Sequence, residues 1–426
     1  MRIHPQVGAD NAAVASVTAA LTAVMAFSML QLFLLGALGP RIVPDLGMSP
    51  AMLGFTTTVG FGTAAVLSPA AGWVVDVLGP RRCLVGSLSL VGCVLAVIAV
   101  APGYVVLMVA VGLGGAPQAL ANPATNKAIL AAVPTMRRAG VTGTKQSGVQ
   151  LGAIAAGLPL TALAAVAGWR GSVGVAAGIA VLAAFWVWRA LPADPDRNDQ
   201  GGNGIGVTTE RSIVVGWLAV YSLFLGAGMA SINTYLALFA ERRLEFGAAT
   251  AGMLVAVLGV AGIAGRIGWA KVAGRPRVAV VLPAGLACGS AIAALLLAAA
   301  ELVDGLVWVA VIAVGAFGMA GNAVSMVLVI QRAAPGRAGR DSALVSAGFF
   351  AGFAVGPPFF GARLPAIGYS NGWLMVAAEF TTAAAVAAVW VLRDRALRHP
   401  TGGAASESGA HAHRRMPGPN VGQEQA

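Results

Sequence analysis

Apolar runs of about 20 residues recur along this sequence, and each is long enough to cross the hydrocarbon core of a bilayer as a helix. Because lipid offers the backbone no hydrogen-bond partners, such runs must be helices, which pair their own N–H and C=O groups. Only 10% of the residues are charged, and the mean hydropathy is +0.81. Barrel strands would alternate over short segments, and no such pattern occurs. The sequence therefore predicts an all-α membrane protein.

Twelve apolar segments are predicted to span the membrane. They lie at 12–38, 51–75, 82–102, 104–132, 140–167, 171–190, 212–239, 247–272, 277–300, 305–331, 342–366 and 371–392. A polar, glycine-rich stretch divides them into two sets of six, and a polar tail follows the last segment. The predicted organisation is an N-terminal six-helix lobe at 1–192, a cytoplasmic linker at 193–211, a C-terminal six-helix lobe at 212–398 and a disordered cytoplasmic tail at 399–426.

The arginines between the spans predict the orientation, since cytoplasmic loops are enriched in basic residues. With the N-terminus inside, the cytoplasmic side holds Arg81, Arg82, Arg137, Arg138, Arg197, Arg211, Arg275, Arg277, Arg332, Arg337, Arg340, Arg393 and Arg395. The other side holds Arg41, Arg170, Arg242, Arg243 and Arg363. We expect a multi-pass protein of the cytoplasmic membrane with both termini in the cytoplasm. The net charge of +11 lies in loops between spans rather than in one patch, so no nucleic-acid partner is predicted.

The two halves of the chain resemble each other at an offset near 200. The segment Arg138-Ala139-Gly140 opens the fifth span, and Arg337-Ala338-Gly339 precedes the eleventh. Pro159 and Pro358 keep the same offset. Weak internal symmetry between two six-helix halves is typical of transporters that move about a central site.

The loop between spans two and three reads GWVVDVLGPRR, residues 72–82. Its Gly72, Asp76, Gly79, Arg81 and the following Leu84 resemble the loop 2–3 signature of the major facilitator superfamily, and the twelve-span organisation resembles that family over the whole chain. The resemblance implies two pseudo-symmetric six-helix bundles and transport by alternating access.

In that family the loop controls the cytoplasmic gate, and the same role is expected here. Gly72 would let span two approach span eleven, and Asp76 would pair with arginines or with a facing helix N-terminus. The basic residue usual after the aspartate is Val77 here, and a plain topology signal in a tight turn stays an alternative. A degenerate copy, GRIGWAKVAGRPR, ends span eight, and Asp341 is interpreted as a helix N-cap. The expected gating residues are Gly72, Asp76, Gly79, Arg81, Arg82, Arg266 and Asp341.

Polar residues inside the spans are the candidates for binding, because they are costly in lipid. Gln118, Asn122 and Asn126 recur every four residues and should form one stripe on span four. Only three residues are lysine, and two of them, Lys127 and Lys145, lie in spans four and five. Either could contact an anionic solute or could extend its ammonium to the membrane interface. The expected binding residues are Gln31, Gln118, Asn122, Asn126, Lys127, Lys145, Gln146, Gln150, Asn233, Tyr235, Asn322 and Ser325.

The sequence is compatible with three functions. Transport of a small anionic organic solute fits the lysines, and the stretch GTKQSGVQLG is similar to cyanate and organic-anion permease members of the family. Proton-coupled drug efflux is the alternative, although the expected pore spans carry no carboxylate; Glu379 lies in span twelve, where a structural hydrogen bond is favoured over proton coupling. A non-transporting sensor is a remote alternative, and the linker and tail are too short for a soluble domain.

An enzyme is not expected, because all four histidines lie outside the spans and leave no intramembrane base or metal site. We therefore predict no cofactor, no metal, a small-molecule substrate, a lipid bilayer environment and a monomer. Coupling to a proton or to a counter-solute stays open.

Overall fold

The structure is a computed structural model that describes residues 5–194, 209–333 and 337–398. Its helices are α1 (Pro5–Asp45), α2 (Pro50–Leu78), α3 (Pro80–Ala99), α4 (Tyr104–Leu113), α5 (Gly115–Ala132), α6 (Thr135–Ala155), α7 (Thr161–Ala190), α8 (Thr209–Arg242), α9 (Ala248–Ala273), α10 (Pro276–Ala279), α11 (Leu282–Ala299), α12 (Leu306–Ala313), α13 (Met319–Arg332) and α14 (Ala338–Arg398). Two π-helical turns, Ala156–Leu160 and Val314–Gly318, join α6 to α7 and α12 to α13.

Ten continuous helical stretches within the described residues are long and apolar enough to cross a membrane. Two of them, Thr135–Ala190 and Ala338–Arg393, have 56 residues each, whereas one crossing needs about 20. Each is interrupted at a glycine with non-helical backbone angles, Gly168 (φ 69°) and Gly368 (φ 72°). These two glycines divide the long stretches where the sequence predicts span boundaries, so the expectation of twelve membrane-spanning helices is confirmed.

The first helix is longer than its predicted span, since α1 continues through Pro40 and Pro44 to Asp45. Of the predicted linker, residues 195–208 lie outside the described residues, and α8 begins at Thr209. The predicted tail, 399–426, lies outside them too.

Glycines allow the closest helix contacts in both halves. Gly148 and Gly152 of α6 lie against the backbone of α1 with no room for a Cβ atom, and Gly348 and Gly352 of α14 lie in the same way against α8. Small residues let helices in lipid approach until dispersion contacts and backbone groups meet. Each glycine of one pair lies 200 residues from its counterpart, as Gly168 does from Gly368, so the internal repeat is also present in the packing.

Helices α1–α7 meet helices α8–α14 through a limited set of elements: α2 and α5 contact α14, α6 contacts α9, and α5 and α6 contact α13. Gly72 of α2 lies against Arg340, and Gly143 of α6 lies against Ala270 of α9. We call the end of the bundle that carries the turns at Gly79, 133–134 and 274–275 the basic end. In this conformation the two sets of helices are packed together at the basic end.

Candidate functional site

The polar stripe of α5 is buried, and its members face different neighbours. Gln118, Asn122 and Asn126 are all buried, as the four-residue spacing predicts. A helix turns about 100° per residue, so each step of four also rotates the direction by about 40°. Asn122 therefore meets α6, whereas the Asn126 amide donates to the Ser342 hydroxyl of α14 at 2.8 Å. Within the described part of the chain, neither amide atom of Gln118 has a hydrogen-bond partner.

Lys145 of α6 points into the protein rather than toward the membrane surface. Its ammonium donates to the Thr125 hydroxyl at 2.5 Å and to the Asn122 side-chain oxygen at 3.2 Å. The residue is 0% exposed. In this conformation Lys145 does not extend its ammonium to the membrane–water interface, which was the alternative to a role inside the protein.

Arg266 of α9 joins the same cluster from the other half of the chain. Its Nη1 atom donates to the backbone carbonyl of Gln146 at 2.6 Å, and the Gln146 amide nitrogen donates to the Asn122 side-chain oxygen at 2.8 Å. Arg266 is only 5% exposed. The sequence assigned this arginine to the gate, and the structure places it against a residue assigned to binding instead. We call Asn122, Thr125, Lys145, Gln146 and Arg266 the buried cation cluster.

The two charges of this cluster lack acidic partners. Among the described residues, neither Lys145 nor Arg266 forms an ion pair, and all of their hydrogen bonds given above go to neutral oxygens. Removing a cation from water is costly unless a counter-charge and hydrogen bonds replace the lost hydration. The cluster therefore presents the N–H donors of Lys145, Gln146 and Arg266, and the fixed positive charge of Arg266, to any anion that reaches it.

Several other expected binding residues lie near the contacts between the two sets of helices. The Gln150 amide is 3.3 Å from the Met319 sulfur of α13, and Asn322 is buried with no partner for its side-chain oxygen within the described residues. The Ser325 hydroxyl instead donates to Gly321 in its own helix. The Gln31 amide donates to Val111 at 3.4 Å, which keeps it within α1–α7.

Asn233 and Tyr235 of α8 are not brought into the cluster. Asn233 is exposed, and the Tyr235 hydroxyl donates to the Pro357 carbonyl at 3.1 Å. The Tyr235 ring stacks on Phe360 with ring centres 4.6 Å apart. Both interactions stay within α8 and α14.

Lys127 contacts the expected gate rather than the buried cation cluster. Its ammonium lies 3.4 Å from a carboxylate oxygen of Asp76 and donates to the Asp76 carbonyl at 3.2 Å. The second carboxylate oxygen of Asp76 lies 3.6 Å from the guanidinium of Arg340 at the start of α14. Gly72 and Gly339 face each other across the same crossing, and a Cβ at Gly72 would lie 2.8 Å from the Arg340 Cα. This arrangement joins α2, α5 and α14 at the basic end, and we call Asp76, Lys127 and Arg340 the basic-end triad.

The match to known proteins covers most of the chain. Residues 20–344 match the model of the Major Facilitator Superfamily. The chain belongs to this superfamily. It is a secondary transporter and not an enzyme. No curated protein sequence matches the chain significantly.

Solved structures of other transporters share its fold. The human organic anion transporter MFSD10 (TETRAN) superposes with a TM-score of 0.72 at 14% identity, covering 89% of this chain and 99% of that one. The proton:xylose symporter XylE, bound to 6-bromo-6-deoxy-D-glucose, superposes with a TM-score of 0.71 at 14% identity, covering 90% and 96%. At this identity the likeness establishes the fold alone.

Two expected gating arginines of the transporter, Arg81 and Arg82, form no ion pair with Asp76 within the described residues. The Arg81 side chain donates to the Trp188 carbonyl of α7 at 2.5 Å, and Arg82 is exposed. Their backbone N–H groups donate to the Asp194 carboxylate at 2.9 and 3.0 Å, which caps the free N-terminus of α3. Gly79 has φ of 89°, a region that favours glycine, and the Asp194 side chain fills the space beside it. Asp194 is a structural residue that sequence reasoning missed, because it lies 112 positions beyond Arg82.

The interpretation of Asp341 as an N-cap is wrong. Helix α14 of the transporter begins at Ala338, and the Asp341 N–H donates to the Arg337 carbonyl at 3.0 Å. A residue whose N–H is already in the helical ladder cannot be the cap. Asp341 lies in the first turn, where a carboxylate still interacts favourably with the helix dipole.

Proposed function

We propose that this transporter carries a small anionic organic solute across the cytoplasmic membrane by alternating access. The observation that carries the proposal is the presence of Lys145 and Arg266 in one hydrogen-bonded cluster, two buried basic side chains without an acidic partner among the described residues. An anion would supply the missing counter-charge, and the amides of the cluster would orient it. MFSD10 is described as an organic anion transporter and XylE as a sugar symporter, so the fold is compatible with anionic and neutral solutes alike.

The two sets of helices are proposed to act as two lobes that rock about this cluster. Lys145 lies on one lobe and Arg266 on the other, so a solute between them would be held by both. Because both side chains are buried here, a solute would reach them only when α6 and α9 separate. Parting of the basic end, with its basic-end triad, would give that access.

The basic end is proposed to face the cytoplasm, with both termini on that side. Arg81, Arg82, Arg137 and Arg138 all lie at the starts of α3 and α6, next to its turns, and basic residues are enriched at the cytoplasmic ends of membrane spans. In this orientation the present conformation is closed toward the cytoplasm. A cysteine placed at the exposed Arg82 and labelled from one side in intact cells would test the assignment.

Uptake into vesicles containing the purified transporter tests the substrate class. The panel would contain acetate, lactate, succinate and malate, with a neutral sugar and a cationic dye as controls. We expect uptake of carboxylates and none of the cationic dye. A transporter that moves only the cationic dye would contradict the proposal and favour drug efflux.

A further inference from the structure

We infer that this transporter is an exchanger, which returns across the membrane with an anion bound rather than empty. The inference rests on the proposed function and adds the coupling mode, an anion as counter-solute. It follows from the charge of the buried cation cluster when no solute occupies it.

The cluster holds the fixed positive charge of Arg266 and the basic nitrogen of Lys145 away from water. Arginine keeps its charge in proteins, so Arg266 stays cationic whatever happens at Lys145. In the conformation described here α6 and α9 are packed together, with Lys145 0% and Arg266 5% exposed. A transporter that alternates must pass through conformations with this interface closed, and each passage without an anion buries the Arg266 charge without a counter-charge. A bound anion offsets that cost and speeds the passage.

Two other cations of the interface, Lys127 and Arg340, do have an acidic partner. Lys127 and Arg340 both lie beside the carboxylate of Asp76, at 3.4 and 3.6 Å. Lys271, the remaining lysine of the chain, is exposed on α9. The basic-end triad therefore contains a carboxylate that offsets part of its positive charge, whereas the buried cation cluster contains no carboxylate.

Among the residues that the structure describes, no acidic side chain, Asp341 of α14 included, forms an ion pair with Lys145 or Arg266. Among the described residues, Asp76 pairs with Lys127 and Arg340, and Asp194 accepts from the backbone of α3. Glu379, in the second part of α14, forms no ion pair with either cation. The solute itself is the counter-charge that remains.

Efflux from vesicles tests this inference directly. Vesicles containing the transporter are loaded with whichever radiolabelled member of the acetate, lactate, succinate and malate panel is taken up best, then diluted into buffer with or without the same unlabelled anion. We expect the external anion to accelerate efflux of label at least about tenfold. Equal efflux rates in the two buffers would overturn the exchange mechanism while leaving anion transport intact. A chain that takes up none of the four anions would overturn both.

Charge variants separate the effect of the cations from a general effect on turnover. Lys145→Gln removes one buried charge, so the ratio of efflux rates with and without external anion should fall at least about threefold. Lys145→Arg keeps the charge and should keep the ratio. Lys271→Gln removes an exposed positive charge from α9 and serves as the matched control, with an unchanged ratio.

Arg266→Gln and Arg266→Lys repeat the comparison from the other half of the chain, in case the Lys145 variants do not fold. A ratio that is the same in the charge-removing and charge-keeping variants would overturn the role of the cations. The wild-type efflux comparison needs no variant, so the exchange mechanism can be refuted without them.

Discussion

The carboxylate of Asp76 lies 3.6 Å from the guanidinium of Arg340, and the two residues belong to opposite halves of the chain. The Asp76 side chain is 9% exposed, whereas that of Arg340 is 53% exposed. Lys127 holds the other oxygen of the same carboxylate from within its own half. Asp76 thus has one partner that moves with it and one that separates from it when the halves part at the basic end.

Replacing Asp76 should slow transport without unfolding the protein. Asp76→Asn removes the charge that attracts Arg340 and leaves Lys127 without a counter-ion. A partly exposed ion pair contributes about 1 kcal/mol, which changes a two-state equilibrium about fivefold. We expect turnover in vesicles to fall by about that factor at equal protein. Arg82→Gln, at an exposed side chain that forms no ion pair with Asp76 among the described residues, is the control; normal turnover in Asp76→Asn would argue against a gate.

Adding one methyl group at Gly72 should keep the basic end from closing. A Cβ there would lie 2.7 Å from the Ala343 Cβ and 2.8 Å from the Arg340 Cα, so α2 and α14 would have to separate. Overpacking of this kind costs about 1–3 kcal/mol. Gly72→Ala should therefore lower turnover and increase labelling of cysteines introduced at this crossing. Gly62→Ala is the matched control on the same helix, since nothing lies within 4 Å of a Cβ there; equal behaviour of the two variants would contradict this packing role.

Lys145 should affect affinity through its charge. If it contacts an anion, Lys145→Gln should weaken apparent affinity for a transported carboxylate at least about tenfold, equivalent to about 1.4 kcal/mol. Lys145→Arg should do less damage but change selectivity, because guanidinium is planar and binds carboxylates through two N–H groups. Concentration-dependent uptake measures both. Unchanged affinity in Lys145→Gln would remove the lysine from the binding site.

Glu379 should tolerate loss of its charge. One carboxylate oxygen is buried without a hydrogen-bond partner among the described residues, so the structural hydrogen bond expected from the sequence is not present at that oxygen. The residue also forms no ion pair there that a neutral amide would break. We predict that Glu379→Gln keeps both solute accumulation and its pH dependence in vesicles. A variant that still exchanges solute but no longer concentrates it would make Glu379 a coupling residue.

The sequence contains enough information to predict the helices but not all the side-chain partners. Apolar length and the changes of residue type near Gly168 and Gly368 were sufficient to separate the spans. Lys127 follows Asn126 by one residue, and a helix rotates about 100° at each step. Its side chain therefore faces α2 and Asp76, while Asn126 faces α14. This rotation could have been worked out in advance, but which helix lies in each direction could not.

Arg266 and Asp341 illustrate information that only the folded structure supplies. Arg266 lies in a degenerate copy of a loop motif, yet it is seven residues before the end of α9 and reaches Gln146 on a different helix. Asp341 has the residue type of an N-cap, but α14 begins three residues earlier. Motif position and residue type predict local roles, whereas the role of Arg266 depends on a helix distant in sequence and that of Asp341 depends on where α14 begins.

The oxygen acceptors of Lys145 have counterparts in the second half of the chain. Asn122 and Thr125 correspond at an offset of 200 to Asn322 and Ser325, both buried in α13. The offset is the one that also relates the tightly packed glycines of α6 and α14. An ancestral unit duplicated into two would have placed an amide and a hydroxyl at these positions in both copies.

The counterpart of Lys145 itself is Val345, which is fully buried in α14. Asn322 has a side-chain oxygen without a partner in the described part of the chain, and the Ser325 hydroxyl donates to the Gly321 carbonyl of its own helix. The two halves thus share the acceptor residue types, an asparagine and a hydroxyl residue, whereas only the first half has the lysine donor. Val345→Lys would place a lysine in the second half at the position equivalent to Lys145. The difference between the two halves can therefore be removed by this one substitution, just as Lys145→Val would remove it from the first half.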